Sequence, residues 1–219
     1  MKHKKHNLII AGSSGLIGGH ALQSAIDSNQ FAVITSLARK TTHQIQNIKH
    51  IISPTLDIEE LDTSFDCGLI ALGTTKKQAG GNQALYKIDH DLVVHVAKQM
   101  KARGVKRLAV VSSLGASPTS ASHYLRCKGE MEQHIQALGF TALLFVRPGP
   151  LVGRKTNQRA DEIWVQRMLS PLSPLLIGPL RNIKPILASD VACAMIDYLG
   201  KQDTLGTIHY YRHNMVQNP

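Results

Sequence analysis

Tyr124 and Lys128 stand four residues apart in Tyr124-Leu125-Arg126-Cys127-Lys128, a spacing that brings both side chains to one face of a helix. An ammonium beside a phenol stabilises phenolate more than phenol, so Lys128 favours proton exchange at Tyr124 near neutral pH. Upstream, Val110-Val111-Ser112-Ser113-Leu114-Gly115-Ala116 runs from an apolar strand into hydroxyls. There Ser113 can orient a carbonyl or alcohol oxygen, and Ser112 is the one-residue alternative. Ser113, Tyr124 and Lys128 thus form a candidate proton-transfer set. Taken alone, a tyrosine and a lysine at this spacing are equally a packed ring and a solvated amine.

A second constellation lies near the beginning of the chain. Leu8-Ile9-Ile10-Ala11-Gly12-Ser13-Ser14-Gly15-Leu16-Ile17-Gly18 is a short apolar strand running into glycines at intervals of three. Gly12 and Gly15 let backbone approach a pyrophosphate, and Gly18 lets the following helix pack closely on the sheet. The anion then meets the unpaired N–H groups of that helix. Such a turn points to a dinucleotide.

The end of the second strand bears on which dinucleotide it is. A site for NAD more typically offers an acid to the adenosine ribose, whereas Leu37-Ala38-Arg39-Lys40 offers a planar guanidinium fork and a nearby amine. Arg39, assisted by Lys40, suits a 2′-phosphate and favours NADP (NADPH), with NAD left open. Both residues are also ordinary for an exposed loop. Asp57 can accept from an adenine amino group or cap residues 58–61. In Leu72-Gly73-Thr74-Thr75 the glycine lets backbone pass beside a cofactor while Thr74 or Thr75 binds phosphate or ribose. A plain strand-to-loop turn would have the same composition.

Hydrophobic periodicity supplies the elements that must position these residues. Apolar runs predict strands at 7–11, 31–38, 48–52, 67–72, 107–112 and 141–146, with a late strand at 207–211. Helical faces recur over 16–28, 85–102 and 124–138. Alternation of this kind implies right-handed crossovers and a mostly parallel sheet, an α/β Rossmann-type doubly wound fold. The residues after each strand's carboxyl end then converge on one crevice.

With these motifs in hand, the chain resembles an atypical short-chain dehydrogenase/reductase, within the NAD(P)-binding group that includes the HIV Tat-interactive tumour suppressor-like oxidoreductases. The likeness runs through nearly the whole chain, from the glycine turn through Leu72-Gly73-Thr74-Thr75, the serine segment, Tyr124 to Lys128, and Phe145-Val146-Arg147-Pro148-Gly149-Pro150-Leu151. It implies cofactor contacts from Gly12, Ser14, Gly15, Leu16 and Ile17, with Arg39 near the adenosine phosphate. It also implies that Lys128 binds the nicotinamide ribose and that Pro148 and Gly149 approach the nicotinamide. In the reductive direction, hydride would reach a carbonyl carbon while Tyr124 protonated the oxygen held by Ser113. The separation from Ser113 to Tyr124, eleven residues, is compact for classical members of that group.

Length and composition bound the remainder. The 219 residues, 43% of them hydrophobic, suffice for one compact domain, with no linker, repeat or low-complexity block to divide it. Residues 152–219 are then expected to form the substrate wall and C-terminal packing elements, with Trp164 either facing substrate or packed in a helix. Asp190 is expected to cap a helix that docks on the core. No apolar run reaches a membrane-spanning length, and Met1-Lys2-His3-Lys4-Lys5-His6 does not resemble a secretory signal. Those features predict a cytoplasmic protein without membrane insertion. Cys67, Cys127 and Cys193 are odd in number and widely spaced, as reduced thiols are. The eleven histidines form no metal-ligand pattern. A net charge of +10 invites a polyanion, but the basic residues are dispersed and lack an aromatic stacking platform, so no specific nucleic-acid recognition is expected. Two functions follow: an NADP-dependent oxidoreductase for a small carbonyl or alcohol, or an NADPH-binding regulatory or protein-interaction module with little turnover.

Overall fold

A computed structural model describes residues 5–40, 48–58, 63–152, 184–201 and 204–216. Its centre is strand β1 (His6–Ala11), whose Leu8, Ile9, Ile10 and Ala11 are all buried. A strand covered on both faces needs such an unbroken apolar run. Alternation divides the run between two cores. Leu8 and Ile10 join Ala21, Leu22 and Ala25 of helix α1 (Leu16–Ser28) on one side. Ile9 and Ala11 face a separate cluster on the other.

Seven strands lie in one sheet in the order β3-β2-β1-β4-β5-β6-β9, every neighbouring pair parallel. They are β1, β2 (Phe31–Ala38), β3 (Lys49–Ile52), β4 (Cys67–Ile70), β5 (Arg107–Val111), β6 (Ala142–Val146) and β9 (Gly206–Tyr210). The expected α/β Rossmann-type architecture is therefore present, and the chain reverses its direction of travel across the sheet between β1 and β4. At such a switch point the loops after the two strands separate and open a crevice. A short parallel pair, β7 (Leu151–Val152) with β8 (Ile186–Leu187), lies apart from the main sheet.

The element boundaries follow the apolar pattern to within a residue or two, as helix and strand ends do. One helix differs in kind. The span expected to be continuous from 85 to 102 is composed of α3 (Asn82–Tyr86), a π-helical turn (Lys87–Leu92) and α4 (Val93–Ala102). A four-residue helix, α2 (Lys76–Ala79), precedes it. Helix α5 (His123–Gln136) carries Tyr124 and Lys128, and helix α6 (Ala188–Gly200) buries Ala192, Met195, Ile196 and Leu199 in the same core as α1. Asp190 does not cap α6. The N-cap is Leu187, and Asp190 sits in the first turn, where a carboxylate complements the helix dipole. A last short helix, α7 (Arg212–Met215), follows β9.

The three cysteines are free. Burial pushes the Cys67 thiol up to about 12 and the Cys127 thiol to about 11, which keeps both as inert core groups. No helix among the described residues is long and apolar enough to cross a membrane. Trp164 and the charged stretch around it lie outside the described residues.

Candidate active site

The glycine turn is fixed by its neighbours. Gly12 has a φ of +92°, and a Cβ there would stand 2.7 Å from the Ala71 carbonyl oxygen at the end of β4. A side chain is thus excluded both by backbone conformation and by the adjacent strand. Gly18 is tighter still, since its Cβ would meet the Gly12 carbonyl oxygen at 2.1 Å. The closeness at Gly18 is between α1 and the turn that leads into it, whereas the sequence suggests contact with the sheet. The Gly15 N–H donates to the Gly12 carbonyl at 2.9 Å, and the buried Ser13 and Ser36 hydroxyls meet at 2.6 Å, pinning the turn to β2. The N-cap of α1 is Gly15, which brings no side-chain cap, and the first turn carries no acid. Its N–H groups therefore remain suited to an anion.

Gly15, Leu16 and Ile17 form one wall of a cavity of about 560 Å³. Leu72, Gly73 and Thr74 line it from the end of β4, Ser112 and Ser113 from the end of β5, and Pro148 and Gly149 from beyond β6. Tyr124 and Lys128 close it from α5. Ser112 is buried and Ser113 half-buried, so the latter hydroxyl is better placed to meet a ligand. The Leu114 N–H donates to the Pro148 carbonyl at 3.0 Å, which joins the serine loop to the Pro148-Gly149 turn. Of the two threonines, Thr75 uses its hydroxyl to cap α2, accepting from the Gln78 N–H at 3.2 Å.

Other predicted residues stand outside this cavity. Ser14, Arg39 and Lys40 are exposed. Parallel pairing of Ala11 with Leu37 nevertheless sets Arg39 at the carboxyl edge of β2, beside the glycine turn. Asp57 accepts from Thr55 on one oxygen, and from His95 at 2.7 Å and Gln99 at 2.9 Å on the other. Hydrogen bonds from Thr55 and His95 hold its carboxyl below the usual aspartate range. It does not cap the N–H of Ile58, which donates to Gln99 Oε1 at 2.6 Å.

Two acids were missed by sequence reasoning. Asp89, on the π turn, lines the cavity and lies 2.8 Å from Lys128 Nζ. Burial pulls the Lys128 pKa down, but the adjacent Tyr124 and Asp89 more than offset this and hold it above the ordinary lysine value. Glu132 is buried one helical turn beyond Lys128. It accepts from Arg147 Nε at 2.9 Å, pairs through its second oxygen with Arg147 Nη2, and approaches His209 Nε2 at 3.3 Å. Burial raises its pKa, yet the His209 and Arg147 hydrogen bonds prevail and hold it below the usual glutamate range. The repeat Tyr124, Lys128, Glu132 at intervals of four was the available signal. It marks one helix face as polar where a core contact would be apolar.

This sheet order and crevice define the α/β fold of NAD(P)-binding epimerases, dehydratases and reductases. Solved structures that share it include two with a bound nicotinamide cofactor. The Bordetella bronchiseptica enzyme WbmH in complex with NAD+ has a TM-score of 0.69 at 15% identity, over 95% of this chain and 76% of that one. The dTDP-4-dehydrorhamnose reductase from Bacillus anthracis in complex with NADP has a TM-score of 0.64 at 16% identity, over 96% and 76%.

The chain itself belongs to the HIM1 family, whose model matches residues 30–176. It is 33% identical over 159 residues to "Protein FMP52, mitochondrial" of Saccharomyces cerevisiae, covering 70% of this chain and 69% of that protein. A Candida glabrata relative bears the same name. These names overturn the expected cytoplasmic location and point to mitochondria instead. The expectation rested on the lack of a secretory signal, which does not separate cytoplasm from an organelle whose address is read by a different receptor.

Proposed function

We propose that the chain binds NADP(H) along the carboxyl edge of the sheet and catalyses redox exchange between a small carbonyl and its alcohol. The observation that carries this reading is a single cavity lined both by Gly15-Leu16-Ile17 and by Ser113, Tyr124 and Lys128. The residues suit the group. Gly12 and Gly18 leave no room for a Cβ in the turn, the α1 N-terminus is free of acid, and Arg39 and Lys40 project at the edge where an adenosine 2′-phosphate would lie. When bound, the nicotinamide supplies or accepts the hydride.

The chain's own groups do the rest. Gly12, Ser14, Gly15, Leu16, Ile17 and Gly18 build the pyrophosphate cradle, Leu72, Gly73 and Thr74 border the cofactor inside the cavity, and Asp57, outside it, would meet only the adenine end. Lys128 holds the ribose, while Pro148 and Gly149 flank the nicotinamide. Ser113 orients the substrate oxygen, and the Tyr124 hydroxyl gives or takes its proton. Residues 152–219 contribute the substrate wall and packing elements of the same domain. On this reading the chain resembles the HIV Tat-interactive tumour suppressor-like oxidoreductases in chemistry as well as in motif.

A second reading, an NADPH-binding regulatory or protein-interaction module, is favoured by Tyr124, which is 37% exposed at the cavity rim. A reacting centre gains from exclusion of water, and a rim position forgoes part of that gain. The two are separated by measuring NADPH binding alongside NADPH oxidation over a panel of small aldehydes and ketones. Turnover lost in Tyr124→Phe with binding retained supports the enzyme. Binding with no Tyr124-dependent turnover supports the module. Arg39→Asp is expected to weaken NADPH at least ~10-fold more than NADH, the scale of one charge-assisted phosphate contact. Equal losses would remove Arg39 from phosphate recognition.

A further inference from the structure

Asp89 is fully buried, at 0% exposure, next to Lys128 at 2%. Two charges seldom leave water without each other, and here they are 2.8 Å apart. The other oxygen of Asp89 accepts the Thr74 N–H at 2.8 Å. Its carboxylate therefore bridges α5 to the loop after β4. Gly73 completes the junction, since a Cβ there would stand 3.2 Å from Asp89 Oδ1 and 3.9 Å from Lys128 Nζ. The π turn explains how an acid reaches this place: the extra residue in a π-helical turn shifts the phase of the helix. Asp89 and His90 thereby face inward while Asp91 remains exposed.

We propose that Asp89 is a positioning residue of the cavity, keeping the Lys128 ammonium charged and aimed while coupling its place to the Gly73-Thr74 loop. This deepens the oxidoreductase reading and rests on it for its catalytic meaning. An ammonium has three donors. The ion pair with Asp89 engages one side of the group, which leaves donors for the cavity. The groups facing Lys128 are Asp89 from the π turn, Tyr124 and Cys127 from α5, and the backbone around Gly73. The Cys127 thiol is pushed up to about 11 and stays neutral. Asp89 is thus the carboxylate of the set. Without it, only Tyr124 and Cys127 remain to offset the burial that disfavours the ammonium.

The test reads the ionisation of Lys128 without cofactor or substrate. Folded protein is acetylated with limiting acetic anhydride across a pH series, and labelling at each lysine is quantified by peptide mass spectrometry. Only the neutral amine reacts, so the labelling midpoint reports protonation, whereas loosened packing alone raises the rate at every pH and leaves the midpoint in place. In the unaltered protein Lys128 should have a midpoint above that of exposed Lys76 and Lys77. In Asp89→Asn, or in Asp89→Ser should the first variant fail to fold, the midpoint should fall by at least about one pH unit, a ~10-fold change in neutral fraction. Asp89→Glu should restore part of it. A Lys128 midpoint at or below that of the exposed lysines in the unaltered protein overturns the proposal, as does an unmoved midpoint in a folded charge-removing variant. A parallel NADPH titration keeps the two ideas apart. Absent binding in the unaltered protein would remove the oxidoreductase reading, while a labelling midpoint that moves as expected would still support Asp89.

Discussion

A methyl group at residue 18 or at residue 19 of α1 should have opposite consequences. At Gly18 it would meet the Gly12 carbonyl oxygen at 2.1 Å, a backbone atom that cannot swing away. At Gly19 the nearest atom, the Ser13 carbonyl oxygen, stands at 3.4 Å, close to ordinary contact. Gly18→Ala should cost about 2–4 kcal/mol and weaken NADPH by an order of magnitude or more, through displacement of the turn. Gly19→Ala should be neutral or stabilising by up to ~1 kcal/mol, because alanine gives up less conformational freedom in a helix. Urea denaturation of the two variants checks this, and equal losses would mean that the turn is not held by the Gly18 approach. The motif was legible because a glycine turn is local. Asp89 was not, because its partner lies thirty-nine positions further along the chain and the two meet only through a phase shift that a 3.6-residue period does not encode.

At the scale of elements, the strands could be read from apolar runs because a doubly covered parallel sheet demands them, as β1 and β6 illustrate with Leu8 to Ala11 and Ala142 to Val146 buried without exception. The helix over 85–102 was legible as helical but not as interrupted. Its π turn keeps the apolar content of the window while moving Asp89 inward. Helix α5 is the element on which the candidate site depends, for it carries Tyr124 and Lys128 at the cavity and Glu132 at its anchor. Glu132 ties α5 to Arg147 at the end of β6, and Arg147 Nη1 in turn donates to the Tyr211 hydroxyl at 3.1 Å beyond β9. The Glu132 pKa lies below its unfolded value. Its contribution is therefore present above the ordinary glutamate range and fades as pH falls through the folded value. Glu132→Gln should destabilise the protein by about 2–4 kcal/mol at neutral pH, since it strands the Arg147 charge. The gap between variant and parent should narrow on acidification to about pH 3, below the ordinary glutamate pKa. Denaturation midpoints at both pH values measure it, and a gap that does not narrow would show that Glu132 acts by packing alone.

Over the whole molecule, the cavity gathers the ends of β1, β4, β5 and β6 and the helices α1 and α5, so a dinucleotide bound there would bridge both halves of the sheet. Fold class and crevice were legible at this scale because strand–helix alternation leaves few topologies. Compartment was not, because an address is read by a receptor and is not set by folding energetics. The charge of +10 belongs to this scale as well. A basic surface draws in an anionic cofactor from a distance, an effect that salt screens over roughly 8–10 Å at ionic strengths near 0.1 M. Phosphate contacts within the turn would be shorter and less screened. NADPH at ~100 times its Kd should accordingly stabilise the fold by about 2.7 kcal/mol, with Kd rising as salt is added. A polyanion such as heparin, bound to dispersed surface lysines and arginines, should weaken NADPH only as much as that loss of steering allows. At fixed ionic strength, NADPH titrations at increasing heparin should reach a plateau in apparent Kd. An apparent Kd that climbs in proportion to heparin without limit would place the polyanion in the crevice itself, and the basic residues would then have to be read as a site for it.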